Sequence, residues 1–223
     1  MTDFVPRLRE AGVGAPIAER LAEYGALLLE ANQRTNLTGA KSPEALLPHL
    51  LDSLTLLPFV REPLVDVGSG GGLPALPLAL ATGIAVTLIE ATAKKARFLE
   101  RMLAHFDLRG EVLSTRAEVA GREAPYRDHF LSGTARAVAS GTASAELLLP
   151  FIAPGGVALL QRGSMTPRER NALADAALVL GAELDRVLPV DGDRCIVLLR
   201  KTHPTPPRFP RRTGIPAGRP LCS

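Results

Sequence analysis

A chain of 223 residues, 46% hydrophobic and 22% charged, is long and apolar enough to bury one full core. No uninterrupted apolar run approaches the ~20 residues of a membrane span. The opening MTDFVPRLRE lacks the apolar stretch of a secretion signal, so neither a membrane protein nor a secreted one is expected. The formal net charge is only +3, but the pI is about 9.2. No acidic residue follows Asp193, whereas Arg200, Lys201, Arg208, Arg211, Arg212 and Arg219 do. That asymmetry suits a polyanionic partner, and equally a solvated tail that keeps the protein soluble. Cys195 and Cys222 have no C-x-x-C neighbour, which argues against a structural zinc or a disulfide framework and for a reducing, cytoplasmic compartment.

In chain order, Pro16 to Gln33 reads as an amphipathic helix, with Ile17, Leu21, Tyr24, Leu27 and Leu28 at helical spacing. Asn36-Leu37-Thr38 breaks it, and Asn36 is a candidate either to contact the substrate or simply to brace that loop. A second helix is expected from Pro43 to Leu57, capped by Ser42. Residues 1–62 thus form a helical cap before an α/β core over 63–202. Strands are expected at 64–67, 85–90, 110–114, 134–138, 156–161, 183–189 and 194–200, with helices at 74–82, 93–106, 142–153 and 167–180. The alternation predicts a parallel sheet covered on both faces. The last two strands have only Asp191-Gly192-Asp193 between them and should form an antiparallel hairpin. After Thr202 the basic segment 203–223 is too proline-rich for helix or sheet; it is expected to be extended, and either docked or disordered.

The chemistry concentrates in Leu64–Pro74, LVDVGSGGGLP. An apolar strand ends in Asp66 and runs into Gly68, Gly70 and Gly72, the layout of a buried parallel strand, a tight turn and a helix start. Glycines permit positive φ and close approach of a ligand to the backbone, and a helix start offers N–H groups to an anion. A dinucleotide fingerprint starting at Gly68 would need glycine where Leu73 stands, and one starting at Gly70 meets Ala75 in its third slot. The next strand ends in Glu90, placed to accept hydrogen bonds from both hydroxyls of a ribose. This aspartate–loop–strand–acid order resembles the first two motifs of S-adenosylmethionine-dependent methyltransferases.

Further residues extend the likeness. Asn32-Gln-Arg-Thr-Asn36-Leu-Thr38, His49-Leu-Leu-Asp52-Ser53, Asp66 to Pro74, Glu90-Ala-Thr-Ala-Lys-Lys95, Arg116-Ala-Glu118 and Ala135-Arg136-Ala137 together resemble the RsmG (GidB) family of bacterial rRNA methyltransferases. The tail TPPRFPRRTGIP resembles the C-terminus of some members. The departures are Ala75 where the family has glycine and Arg162-Gly163 where it has Lys-Gly; arginine keeps the charge but not the compact ammonium.

The resemblance implies a Rossmann-like fold with a seven-stranded sheet, and methyl transfer from S-adenosylmethionine to guanine N7 in 16S rRNA of the small subunit. It implies that Gly68 and Leu73 line the methionine end of the cofactor, and that Glu90, Ala91 and Thr92 hold the ribose. Ala117 and Glu118 would bracket the adenine, and Arg136 would stand beside the transfer site. Glu118 is otherwise an ordinary helix-start acid, and Arg136 a salt-bridge partner. His49 and Asp52, three apart on one helix, would face the substrate or orient the cap. Arg162, Arg211 and Arg212 are candidates to grip phosphates. N7 carries a lone pair and no proton, so no general base, triad or metal is expected, and a monomer is. A methyltransferase with another acceptor, a nicotinamide-dependent oxidoreductase and a non-enzymatic RNA binder are the rival readings. Four per cent aromatic residues and no Trp disfavour the last.

Overall fold

The computed structural model describes residues 4–136, 139–190 and 192–222. Three helices lead: α1 (Phe4–Glu10), α2 (Ala15–Asn32) and α3 (Pro43–Leu54). The Ser42 side chain caps α3 by accepting from the Ala45 amide. α1 was not expected from periodicity, being only two turns long. It packs through Phe4 and Leu8, both buried; the Phe4 ring fills the space that the missing Cβ of Gly25 leaves on α2. α3 ends three residues before the expected Leu57, in a run of turns.

The core follows as β1 (Leu64–Val67), α4 (Ala75–Thr82), β2 (Val86–Ile89), α5 (Ala93–His105), β3 (Gly110–Leu113), α6 (Ala117–Ala120), β4 (Phe130–Arg136), α7 (Gly141–Leu148), β5 (Ile152–Gly163), α8 (Pro167–Val179), β6 (Ala182–Val190) and β7 (Arg194–Lys201). The seven strands form one sheet in the order β3-β2-β1-β4-β5-β7-β6. The first five pair in parallel, and β7 runs antiparallel to both β5 and β6. β1 and β2 are buried at every position, as strands covered on both faces require. One apolar cluster joins α1–α3 to α4, α5, β1 and β2 on one face; a second fills the space beneath α7 and α8 on the other.

Two expected boundaries are corrected. β4 starts four residues before 134 because Gly133, a breaker by type, is there for space. A Cβ on it would lie 2.6 Å from Ile152 and 2.8 Å from Leu148. Its expected end, Ala137 and Val138, lies outside the described residues, as does Asp191 of the hairpin turn. The helix expected over 142–153 stops at Leu148; Pro150 sits in a single 3-10 turn and Ile152 already belongs to β5.

The tail is docked, and it carries one helical turn, α9 (Ile215–Gly218), where none was expected. Proline is tolerated in a first turn, and Pro216 stands there. Arg127 holds the tail by donating to the carbonyls of Thr205, Pro206 and Phe209, and Arg122 donates to those of Pro207, Arg208 and Pro210. These bonds replace the secondary structure that prolines deny the segment. Lys201 is 1% exposed. Its ammonium is surrounded by Asp128 Oδ1 at 2.9 Å, the carbonyls of Leu149 and Ile152 at 2.7 and 2.8 Å, and Thr205 Oγ1 at 2.8 Å. Lys201 is therefore a lock inside the fold and not part of a basic surface.

Candidate active site

β1 delivers Asp66 to the carboxyl edge of the sheet, where ligands of open α/β sheets bind. Asp66 is 1% exposed. Its Oδ1 accepts from Thr134 Oγ1 on β4 at 2.6 Å, while Oδ2 is buried with no partner. Burial pushes its carboxyl up to about 7, against the opposing hydrogen bond from Thr134. An acid whose folded pKa is raised is favoured in its neutral form, so its contribution falls as pH rises from the unfolded value of 3.8 towards 7. Relative to Asp66→Asn, the wild type should lose stability between pH 5 and 7 at up to about 1.4 kcal/mol per pH unit. Denaturant melts of the pair across that window check this, and parallel curves would refute it.

The glycine loop turns sharply over that carboxyl. Gly68, Gly70 and Gly72 have φ of 72°, 55° and 97°, the left-handed region that side chains avoid. At Gly72 a Cβ would also lie 2.3 Å from the Leu76 side chain, and at Gly71 one would lie 2.8 Å from Leu28. The helical cap therefore presses directly on the loop: Tyr24, fully buried on α2, donates its hydroxyl to the Gly71 carbonyl at 2.7 Å. Asn32, not Asn36, braces the α2–α3 connection. Its amide spans four backbone groups, of Leu37, Thr38 (twice) and Ala40, whereas Asn36 is exposed.

Glu90, one residue beyond β2, is 7% exposed and accepts from the Gly70 amide at 2.9 Å and the Thr92 amide at 2.7 Å. Its carboxylate ties the loop to the next βα turn, with Ala91 and Thr92 exposed beside it. Leu73 is half-buried at the end of the loop. Ala117 and Glu118 open the single-turn α6 at the end of β3. Glu118 also reaches the tail, accepting from the Gly214 amide at 2.9 Å.

A second constellation lies on the other side of β1. A groove of about 360 Å³ is lined by Asp52, Arg136, Gln161, Arg162 and Arg194, among others. The Asp52 carboxylate, 6% exposed, lies 3.7 Å from Arg136 and 3.2 Å from Arg194. Its carbonyl accepts from Gln161 at 2.8 Å. His49 Nδ1 faces the Arg136 guanidinium, which can only donate. Burial first, then the Arg136 charge, hold the His49 imidazole below its usual pKa. His49 is therefore neutral with its proton on Nε2. The sequence reading placed the His49–Asp52 pair and Arg136 in the site separately; the structure makes them one unit and adds Arg194 and Gln161. Neither had a local signal, since Arg194 begins a hairpin strand and Gln161 reads as one polar residue in an apolar run.

Arg162 lies 3.9 Å from Glu169, with its Nε buried and without a hydrogen-bond partner. Arg211 is a correction. It makes a bidentate pair with fully buried Glu146, at 2.6 Å and 2.9 Å, and so anchors the tail instead of offering its charge outward. Arg212 is exposed. Among the described residues no cluster of three or more His, Cys, Asp or Glu side chains could hold a metal ion, and no helix is long and apolar enough to cross a membrane.

The sequence profile of GidB, described as rRNA small subunit methyltransferase G, matches residues 17–197. The chain belongs to the GidB family. It is similar to a ribosomal RNA small subunit methyltransferase G of Rubrobacter xylanophilus, 43% identical over 90% of this chain and 82% of that one. It is also similar to one of Leuconostoc citreum, 34% identical over 98% of each. This GidB chain is thus a methyltransferase. Among solved structures it shares its fold with a mutant of MtNAS in complex with S-adenosylmethionine, at a TM-score of 0.54 and 17% identity, covering 85% of this chain and 77% of that one.

Proposed function

We propose that the protein transfers a methyl group from S-adenosylmethionine to N7 of a guanine in 16S rRNA of the small ribosomal subunit, acting as a monomer in the cytoplasm. The observation that carries the donor half is the meeting of the glycine loop with the Glu90 carboxylate, 2.9 Å from Gly70 N. The residues fit such a nucleoside. At Gly70 a Cβ would meet only ordinary contacts, the nearest the Leu37 carbonyl oxygen at 3.6 Å, so glycine is required there by its φ of 55° and not by crowding. Asp66 also keeps an unpartnered carboxyl oxygen beneath the loop. When bound, S-adenosylmethionine would supply a methyl group on a sulfonium, electrophilic without further activation.

The chain's own residues would do the rest by position. Glu90 would accept the ribose hydroxyls, and Ala117 with Glu118 would flank the adenine. The groove lined by Arg136, Arg162 and Arg194 would take the guanine and its phosphates. Guanine N7 presents a lone pair and no proton, so neutral His49 is not required as a base; holding acceptor and methyl in line is the main contribution. His49 and Asp52 orient Arg136 for this purpose. N7 faces the deep groove of an RNA duplex, so the target nucleotide would be unstacked or in a loop.

Incubating the protein with unmodified 30S subunits and methyl-labelled S-adenosylmethionine tests the reading. Label should appear as 7-methylguanine in the small-subunit rRNA and not in free metabolites. Label on another base, or none in the subunit, would overturn it.

A further inference from the structure

We propose that the outer face of α5, together with Arg34 at the α2–α3 turn, is a phosphate-binding surface for the RNA, separate from the Arg136 groove. The inference rests on the rRNA reading above and says where the strand leaves the site.

α5 buries Ala96, Phe98, Leu99, Met102 and Leu103. The opposite face carries Lys94, Arg97 and Arg101, all exposed, at spacings of three and four residues that align them along one stripe. Arg34 stands beside this stripe. Thr35 shares a groove of about 490 Å³ with Lys94, Arg97 and Arg101, and Arg34 with Thr35 and Arg101 lines another of about 350 Å³.

Among the described residues these four cations have no carboxylate partner. Several other cations are committed to carboxylates, while Arg7, Arg9, Arg168, Arg170 and Arg212 are exposed without one among the described residues, away from the glycine loop. Arg211 is held by Glu146, Lys201 by Asp128, Arg136 and Arg194 by Asp52, Arg109 by Glu62, and Arg186 and Arg200 by Asp185. Two carboxylates, Glu30 and Glu100, line the same grooves and are outnumbered by the cations there.

Placement completes the argument. α5 begins three residues after Glu90, and the turn that carries Arg34 continues into Leu37, whose carbonyl lies against the glycine loop. The cationic stripe therefore starts beside the loop and runs away from Arg136, so a polyanion crossing the sheet edge would be gripped on both sides of the transfer site. The exposed large apolar side chains, Val119, Leu131, Leu178 and Ile215, are elsewhere. Of the aromatic rings that line the second groove, Phe98 is buried and His105 is paired with Glu23, so this face would read phosphates and not bases.

The test is the triple variant Arg34→Gln, Arg97→Gln, Arg101→Gln, assayed for methylation of unmodified 30S subunits between about 50 and 200 mM salt. Each lost phosphate contact should flatten the dependence of log affinity on log salt by about 0.7–0.9, so the slope should fall by roughly 2–3. KM for the subunit should rise by about 10–100-fold at low salt, with kcat and S-adenosylmethionine affinity unchanged. The triple Arg→Lys variant should retain the slope. An unchanged slope overturns the proposal. So does an equal loss from Arg168→Gln with Arg170→Gln on α8, because total charge and not this face would then be responsible. If the wild type transfers no methyl to the subunits at all, the rRNA reading fails and takes this one with it.

Discussion

Lys201→Met is expected to lower stability by about 3–5 kcal/mol, the range for breaking a buried ion pair from one side. In a chain of this size that is a melting point roughly 10 °C lower. The reason is what the variant leaves behind. Methionine fills similar space but removes the ammonium that donates to the Ile152 carbonyl and is the closest cation to Asp128, leaving Asp128 with Arg127 at 3.7 Å and Thr205 with the Leu149 and Leu180 carbonyls. Burial lowers the lysine pKa, and the hydrogen bond and charge of Asp128 oppose that shift. The charge is costly in its site and retained because the oxygens around it are costlier without it. Since Thr205 and Asp128 both belong to the tail's anchorage, the segment from His203 onward should also become protease-sensitive. Thermal melts with limited proteolysis check both effects; a melt within about 2 °C of wild type would contradict the argument.

The second large effect is expected at Glu90. Glu90→Gln should weaken S-adenosylmethionine binding by about 10–100-fold, the cost of replacing charge-assisted hydrogen bonds by neutral ones. Glutamine keeps one oxygen to accept from Gly70 or Thr92 but not both, so the glycine loop should hold while the ribose contact weakens. Titration calorimetry gives the affinity, and a melt of the ligand-free protein separates the two roles. A large fall in melting point with unchanged affinity would make Glu90 a brace for the loop and remove it from the ribose site. Glu90→Ala should cost more on both counts, because both amides then lose their acceptor.

How much of this was legible beforehand depended on how local the signal was. The glycine loop, Asp66 and Glu90 could be placed because turn chemistry and strand ends are written in adjacent residues; their φ angles and hydrogen bonds fall on the residues named. Two glycines misled or were silent for a different reason. Gly133 and Gly25 make room for a partner far along the chain, and no neighbour in sequence announces that. Lys201 and Arg211 were read as free positive charge. Their partners, Asp128 and Glu146, lie 73 and 65 residues away, and a one-dimensional charge count does not register them.

By itself, then, the amino-acid order determined the alternation of strands and helices, the antiparallel final hairpin, the nucleotide-type loop and its acidic companion. Each follows from periodicity or backbone stereochemistry over a few consecutive residues. Only the tertiary structure decided which charges are spent and which remain available. It buried Lys201, paired Arg211, turned His49, Asp52 and Arg136 into one unit with Arg194, and left Arg34, Lys94, Arg97 and Arg101 without a carboxylate partner among the described residues. The physical reason is that desolvation and ion pairing depend on what lies within a few ångströms in space, and folding brings together groups that the chain separates by dozens of residues.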